Sequence, residues 1–121
     1  MPDQTLYEQL GGKKAIDAAV DLFYERILAD DRIRHFFTGV DMPRQKGKQR
    51  AFLAMVFGGP VDYSGKDLRD GHAHLAGLND THFDAVLEHL GGTLRALGVK
   101  GELVDQVLSI AESTRSDVLQ R

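Results

Sequence analysis

Apolar positions along this chain recur at the three- and four-residue spacing of a helix face, and almost no segment alternates as a strand would. Thr5 and Glu8 form a capping-box pair ahead of a short helix that Gly11-Gly12 closes. Ile16, Val20, Phe23, Tyr24 and Ile27 then line one face of "AIDAAVDLFYERIL". Asp30-Asp31 interrupts that run, and "RIRHFF" predicts a short helical turn ending in two aromatics. Residues 41–60, "DMPRQKGKQRAFLAMVFGGP", predict one helix. Asp41 is a good N-cap, Pro43 stands in the first turn where a missing N–H costs least, and Gly58-Gly59-Pro60 is the stop. A further helix is expected from near Asp80, with Phe83, Val86, Leu87, Leu90, Leu94 and Leu97 on one face. The last carries Leu103, Val107, Ile110, Ala111, Thr114 and Val118. Gly91 and Gly92 each cost a helix roughly 1 kcal/mol against alanine, a cost that close packing against another helix would offset. Residues 58–71, with four glycines and a proline and no periodicity, read as one long loop in an all-α chain.

Composition narrows the class. A chain of 121 residues is expected to form one domain, 1–121, large enough for a real core. The formal net charge of −3 gives no support to nucleic acid as a partner. With no cysteine, disulfides, thiolate zinc sites and thiol catalysis are excluded. No run approaches the ~18 apolar residues of a membrane span, and "MPDQTLYEQL" lacks the basic start and apolar centre of a signal peptide. The expected setting is the cytoplasm, without a membrane partner.

Two features depart from an ordinary helical core. On the helix of residues 41–60, Gln45, Gln49, Phe52 and Val56 share one face, so two amides lead an otherwise apolar stripe. A lone glutamine there usually sits at the boundary and reaches water; a pair at i, i+4 is harder to dismiss. The second feature is the loop itself, since structureless connections longer than about 12 residues are uncommon and are often functional. It leads to "GHAHLAGL", where His72 and His74 precede Leu75 and Leu78. His35, His82 and His89 are expected in solvent. Tyr24 and the glutamines on one wall, a histidine on the other and Phe36-Phe37 at the edge would suit a flat apolar cofactor carrying a metal. Haem fits, because one imidazole holds its iron and leaves the opposite side open.

At these residues the sequence resembles the group I truncated haemoglobins, through nearly the whole chain. "FYERILADDRIRHFF" is similar to the family's second helix and its haem-wedging phenylalanine. "KGKQ" stands where the family's distal helix faces the ligand, and "GGPVDYSGKDL…H" resembles its loop to the proximal histidine. The resemblance implies a truncated globin-like two-over-two helical sandwich around haem b. It makes His72 the iron ligand, with His74 as its rival, Tyr24 the distal hydroxyl and Gln45 and Gln49 the distal amides. Phe36, Phe37, Lys48, Phe52, Leu53, Leu68 and Phe83 become cofactor neighbours, Phe37 being the wedge. Leu53 replaces a phenylalanine proposed to gate a ligand tunnel. The last helix has no histidine, so covalent haem attachment is not implied. Lys48 lies about 60° from Gln45 around the helix. It either pairs with a haem propionate or solvent, the preferred reading, or binds iron as a neutral amine, which costs about 4–5 kcal/mol of deprotonation at pH 7.

The implied ligands are dioxygen, nitric oxide and carbon monoxide, and the implied assembly is a monomer. Three functions follow. The protein binds dioxygen and oxidises nitric oxide to nitrate, needing an external reductase; or it stores or senses a gas without turnover; or it is a small helical interaction domain whose histidines are incidental.

Overall fold

The computed structural model describes residues 6–9, 11–56, 70, 72–73, 75 and 77–121. Among these the regular structure is helical, with no strand. In chain order it comprises α1 (Leu6–Gln9), α2 (Gly12–Leu28), a 3-10 turn (Arg34–Phe37), α3 (Met42–Val56), α4 (Asp80–Ala96), α5 (Gly101–Glu112) and α6 (Arg115–Val118). The predicted loop over 58–71 and the stop at Gly58-Gly59-Pro60 fall almost wholly outside the described residues, as do Thr5, Leu68 and His74.

Local signals set the helix ends. Gly11 adopts φ +107°, a left-handed conformation that an L side chain resists, and its N–H returns to the Glu8 carbonyl at 3.1 Å. Asp41 Oδ1 accepts the Arg44 N–H at 3.2 Å, the cap expected for α3. At α4 the cap is Asn79, one residue ahead of the expected start. Its Oδ1 accepts from Thr81 N at 3.0 Å, while His82 Nδ1 accepts from Asn79 N at 3.1 Å. A histidine thus replaces the usual glutamate of a capping box. The helix closes where Gly98 turns to φ +81°, with Gly98 N bonding to Arg95 O and Val99 N to Leu94 O, both at 3.0 Å.

The long helices pack in two pairs, α2 with α3 and α4 with α5, and the pairs meet chiefly where α2 crosses α4. Ile16, Val20, Phe23, Tyr24 and Ile27 from α2 meet Leu53 of α3, Ala85, Leu90 and Leu94 of α4, and Val104, Val107 and Ala111 of α5. A smaller cluster, Phe83 with Val118, joins α4 to α6. Gly91 is buried where a Cβ would meet the Arg95 tip at 3.1 Å and Leu108 of α5 at 3.3 Å, the second a helix–helix approach. At Gly92 the near neighbour is instead the Arg26 guanidinium.

Several expectations need correction. Leu97 is 44% exposed, because it falls in the turn that closes α4, and Ile110 is 37% exposed on the outer side of α5. The last helix is two, separated at Ser113-Thr114, where both hydroxyls bond back to the carbonyls of Ile110 and Ala111. Val104 and Thr93, absent from the predicted stripes, are fully buried.

Candidate functional site

Tyr24 is the centre of the site. It stands at the meeting of α2, α3 and the 3-10 turn and is 2% exposed. Phe23 and Phe37 present edges to its ring at centroid distances of 5.3 and 5.6 Å, which fixes the ring plane. Its hydroxyl needs a polar partner at that depth, and α3 supplies two. Gln45 Nε2 donates to the Tyr24 oxygen at 3.1 Å, and the Tyr24 hydroxyl donates to Gln49 Oε1 at 3.5 Å, a long bond. Both glutamines are half-buried. The i, i+4 spacing read from the sequence therefore brings two amides to one hydroxyl. With its oxygen accepting from Tyr24, the Gln49 amide keeps its N–H donors for another acceptor.

Aromatic side chains border this cluster. Phe36 and Phe37 are half-buried at the end of the 3-10 turn, and Phe37 touches the Tyr24 ring. Phe36 packs on His35, at 4.2 Å, and on His82, at 4.9 Å, and the two imidazoles also meet, at 6.0 Å. Farther along α3, Leu53 is fully buried in the main core, and Phe52 packs against both clusters. Phe83 is buried under the Arg115 guanidinium, which lies 4.5 Å from its ring centroid. Lys48 is exposed. His72 is half-buried in helical backbone.

Two histidines expected in solvent are structural. His82 caps α4 and packs on Phe36. His89, with its side chain 12% exposed, places Nε2 2.6 Å from Asp30 Oδ2. Arg32 binds the same carboxylate through Nε and Nη2 and reaches Glu88 at 2.6 Å. The hydrogen bonds from Arg32, then that from His89, hold the Asp30 carboxyl well below the usual carboxylate range. An ionised carboxylate only accepts, so His89 Nε2 carries the shared proton, and its buried Nδ1 has no partner among the described residues. The residues Asp80, Asp84 and Glu88, at i, i+4 and i+8, were a readable sign that α4 has a charged face with basic partners elsewhere.

The donor set fits haem rather than a bare metal ion. Among the described residues no three histidines or carboxylates converge as a metal cluster. What converges is one buried hydroxyl, two amides and aromatic rings, which suits a polar tip on an apolar cofactor.

Comparison with known proteins agrees with this geometry. The model of the bacterial-like globin family matches residues 5–120. A group 1 truncated haemoglobin of Synechocystis sp. is 49% identical over 122 residues, spanning 97% of this chain and 98% of that one. The truncated haemoglobin of Tetrahymena pyriformis, solved in its Fe(III) form, superposes with a TM-score of 0.87 at 44% identity, over 95% of this chain and 97% of that one. The 2/2 haemoglobin of Synechococcus sp., solved in the cyanomet state with covalently attached haem, gives 0.91 at 43% identity, over 98% and 100%.

Proposed function

This chain belongs to the bacterial-like globin family as a group 1 truncated haemoglobin with a haem cofactor, and on that premise we propose that it binds dioxygen reversibly and oxidises nitric oxide to nitrate, with an external reductase. Haem, when bound, would supply the iron that takes a diatomic ligand. His72 is the imidazole assigned to that iron, on the resemblance of the loop that leads there.

The observation that carries the reading is the chain of hydrogen bonds from Gln45 through Tyr24 to Gln49. Gln45 donates to the Tyr24 oxygen, and the Tyr24 hydroxyl directs its proton to Gln49. Its bond to Gln49 is long, so redirecting that proton toward a charged acceptor sacrifices little. Dioxygen offers such an acceptor, because its outer atom gathers negative charge. A buried hydrogen bond of this kind is worth roughly 1.5–3 kcal/mol. Phe36, Phe37, Phe52, Leu53, Leu68 and Phe83 are the proposed apolar walls that exclude water. Lys48, being exposed, suits a propionate or solvent better than the iron. Carbon monoxide would occupy the same place while drawing less on these donors. The proposed setting is the cytoplasm, as a monomer. No described helix is long and apolar enough to cross a membrane.

Turnover tests the activity. Nitric oxide supplied under air, with a flavin reductase and its nicotinamide donor, should give nitrate over many cycles. One equivalent per haem and then arrest would make the protein a store or sensor. Reconstitution tests the cofactor's seat. His72→Ala apoprotein should fail to recover an intense Soret band on adding haemin, while His74→Ala recovers it. The reverse result would move the role to His74.

A further inference from the structure

We propose that Arg115 is a positioning residue for the ligand donors: by pinning Phe83 against Phe52 it sets how α3 presents Gln45 and Gln49. The inference rests on the donor role proposed above for those glutamines.

Arg115 lies in α6, far along the chain from Tyr24, and its side chain is only 20% exposed. Nη1 donates to Asp80 Oδ1 at 2.9 Å and Nη2 to Asp84 Oδ1 at 2.5 Å. Nε donates to Glu112 Oε2 at 2.8 Å, and Nη2 also reaches Glu112 Oε1 at 3.1 Å. One planar fork thereby binds two carboxylates a turn apart on α4 and a third at the end of α5. Arg121 adds a second cation on Asp80. The plane also covers the Phe83 ring at 4.5 Å. Lysine, a single point charge, could not engage three carboxylates in fixed directions while covering a ring.

Beneath this fork, Phe83 and Val118 form the small buried cluster into which Phe52 packs, with Leu78, Leu87 and Leu119 around it. Phe52 shares its face of α3 with Gln45 and Gln49, one turn beyond the latter. A helix transmits rotation stiffly. Where Phe52 follows Phe83 by a turn or slide of α3, both amides move relative to Tyr24. The margin is small, since the Tyr24–Gln49 bond already stands at 3.5 Å. Exposed ion pairs usually contribute little, so a purely structural role for this cluster would change stability slightly and ligand chemistry not at all.

The test uses the haem-loaded protein in four forms: wild type, Arg115→Met, the Gln45→Leu/Gln49→Leu pair, and all three changes together. Arg115→Lys serves as the charge-keeping control. The readouts are the oxygen dissociation rate and the C–O stretching band of the carbon monoxide complex. Arg115→Met should speed oxygen release by roughly 3–10-fold, part of the ~100-fold that a 1 Å misplacement can cost, and should broaden the C–O band. Arg115→Lys should fall between it and wild type. In the leucine background the Arg115→Met effect should vanish, because the groups it positions are gone. Three results overturn the inference: a lower melting temperature with unchanged release rate and C–O band, an equal effect in the leucine background, or full rescue by lysine. If the leucine pair alone leaves oxygen release unchanged, the donor role itself fails and this inference falls with it.

Discussion

Phe23 and Tyr24 are neighbours in the sequence and differ by one oxygen, yet that oxygen organises the site. Both rings are buried to the same degree, so packing alone would accept phenylalanine at either place. Only at Tyr24 do two amides from another helix converge on the para position. Tyr24→Phe should therefore leave haem retention and folding nearly unchanged while accelerating oxygen release by roughly 10–100-fold, measured by stopped-flow displacement. Carbon monoxide release should change much less. Gln49→Leu should act in the same direction and more weakly, and the double variant should fall short of the product of the two effects, because both act in one network. An unchanged oxygen rate in Tyr24→Phe would make the tyrosine plain core. The glutamines were legible from the sequence because helical period puts polar residues on an apolar face, which demands a partner. That Tyr24 shares their wall was read from the second helix and the family resemblance together, not from α3 alone. His82 and His89 were misread for the converse reason: each lies off the apolar stripe of α4, but the 3-10 turn and the Asp30 corner cover that side.

Among the elements, α4 packs on both α2 and α5, and its glycine pair shows what periodicity could not resolve. Both glycines were expected to serve close helix packing, but the structure separates them. A Cβ on Gly91 would meet the movable tip of Arg95 at 3.1 Å and also Leu108 of another helix at 3.3 Å, whereas one on Gly92 would meet the tip of the Arg26 side chain alone. Arg26 can swing outward toward water at little cost; the leucine is wedged in a helix interface. Gly92→Ala should then gain about 0.5–1 kcal/mol from helix propensity, seen as a raised urea midpoint with an unchanged m-value. Gly91→Ala should gain nothing or lose. If both variants stabilise equally, Leu108 has room that the contact distance denies. The break between α5 and α6 escaped the sequence reading for a related reason. Ser113 and Thr114 preserve the apolar spacing to Val118 while their hydroxyls compete for the carbonyls of Ile110 and Ala111.

Across the whole molecule, ion pairs tie segments that lie far apart in sequence. Arg32 joins Asp30 to Glu88, and Arg115 and Arg121 join the last turns of the chain to Asp80 and Asp84. The all-α architecture was legible from apolar period, because that period reports which face is covered; the two-over-two arrangement came only from the family resemblance. These ties were not legible, because charge spacing along one helix gives no partner. They predict how the fold responds to acid. Hydrogen bonds from Arg32, and then from His89, lower the Asp30 carboxyl. Arg121, and then Arg115, lower Asp80, and Arg32 lowers Glu88. A carboxyl depressed in the folded state contributes stability that is present above its unfolded pKa, near 4, and is lost as pH falls through its folded value. Acid should thus weaken the corner after α2 and the C-terminal clamp together, with titration beginning below about pH 5. Asp30 is the sharpest probe, because its side chain is only 11% exposed and salt screens it less than the others. Asp30→Asn should lower the melting temperature of the haem-loaded protein at pH 7, and the deficit should persist at high salt. As pH drops below about 4 the deficit should narrow, because Asp30 of the unfolded wild-type chain then takes up a proton that the folded state resists. Using the difference between the two proteins removes any loss from acid release of haem, which both share. A deficit that stays constant down to the lowest measurable pH would mean that Asp30 acts by shape alone, through its turn with the Arg32 backbone N–H.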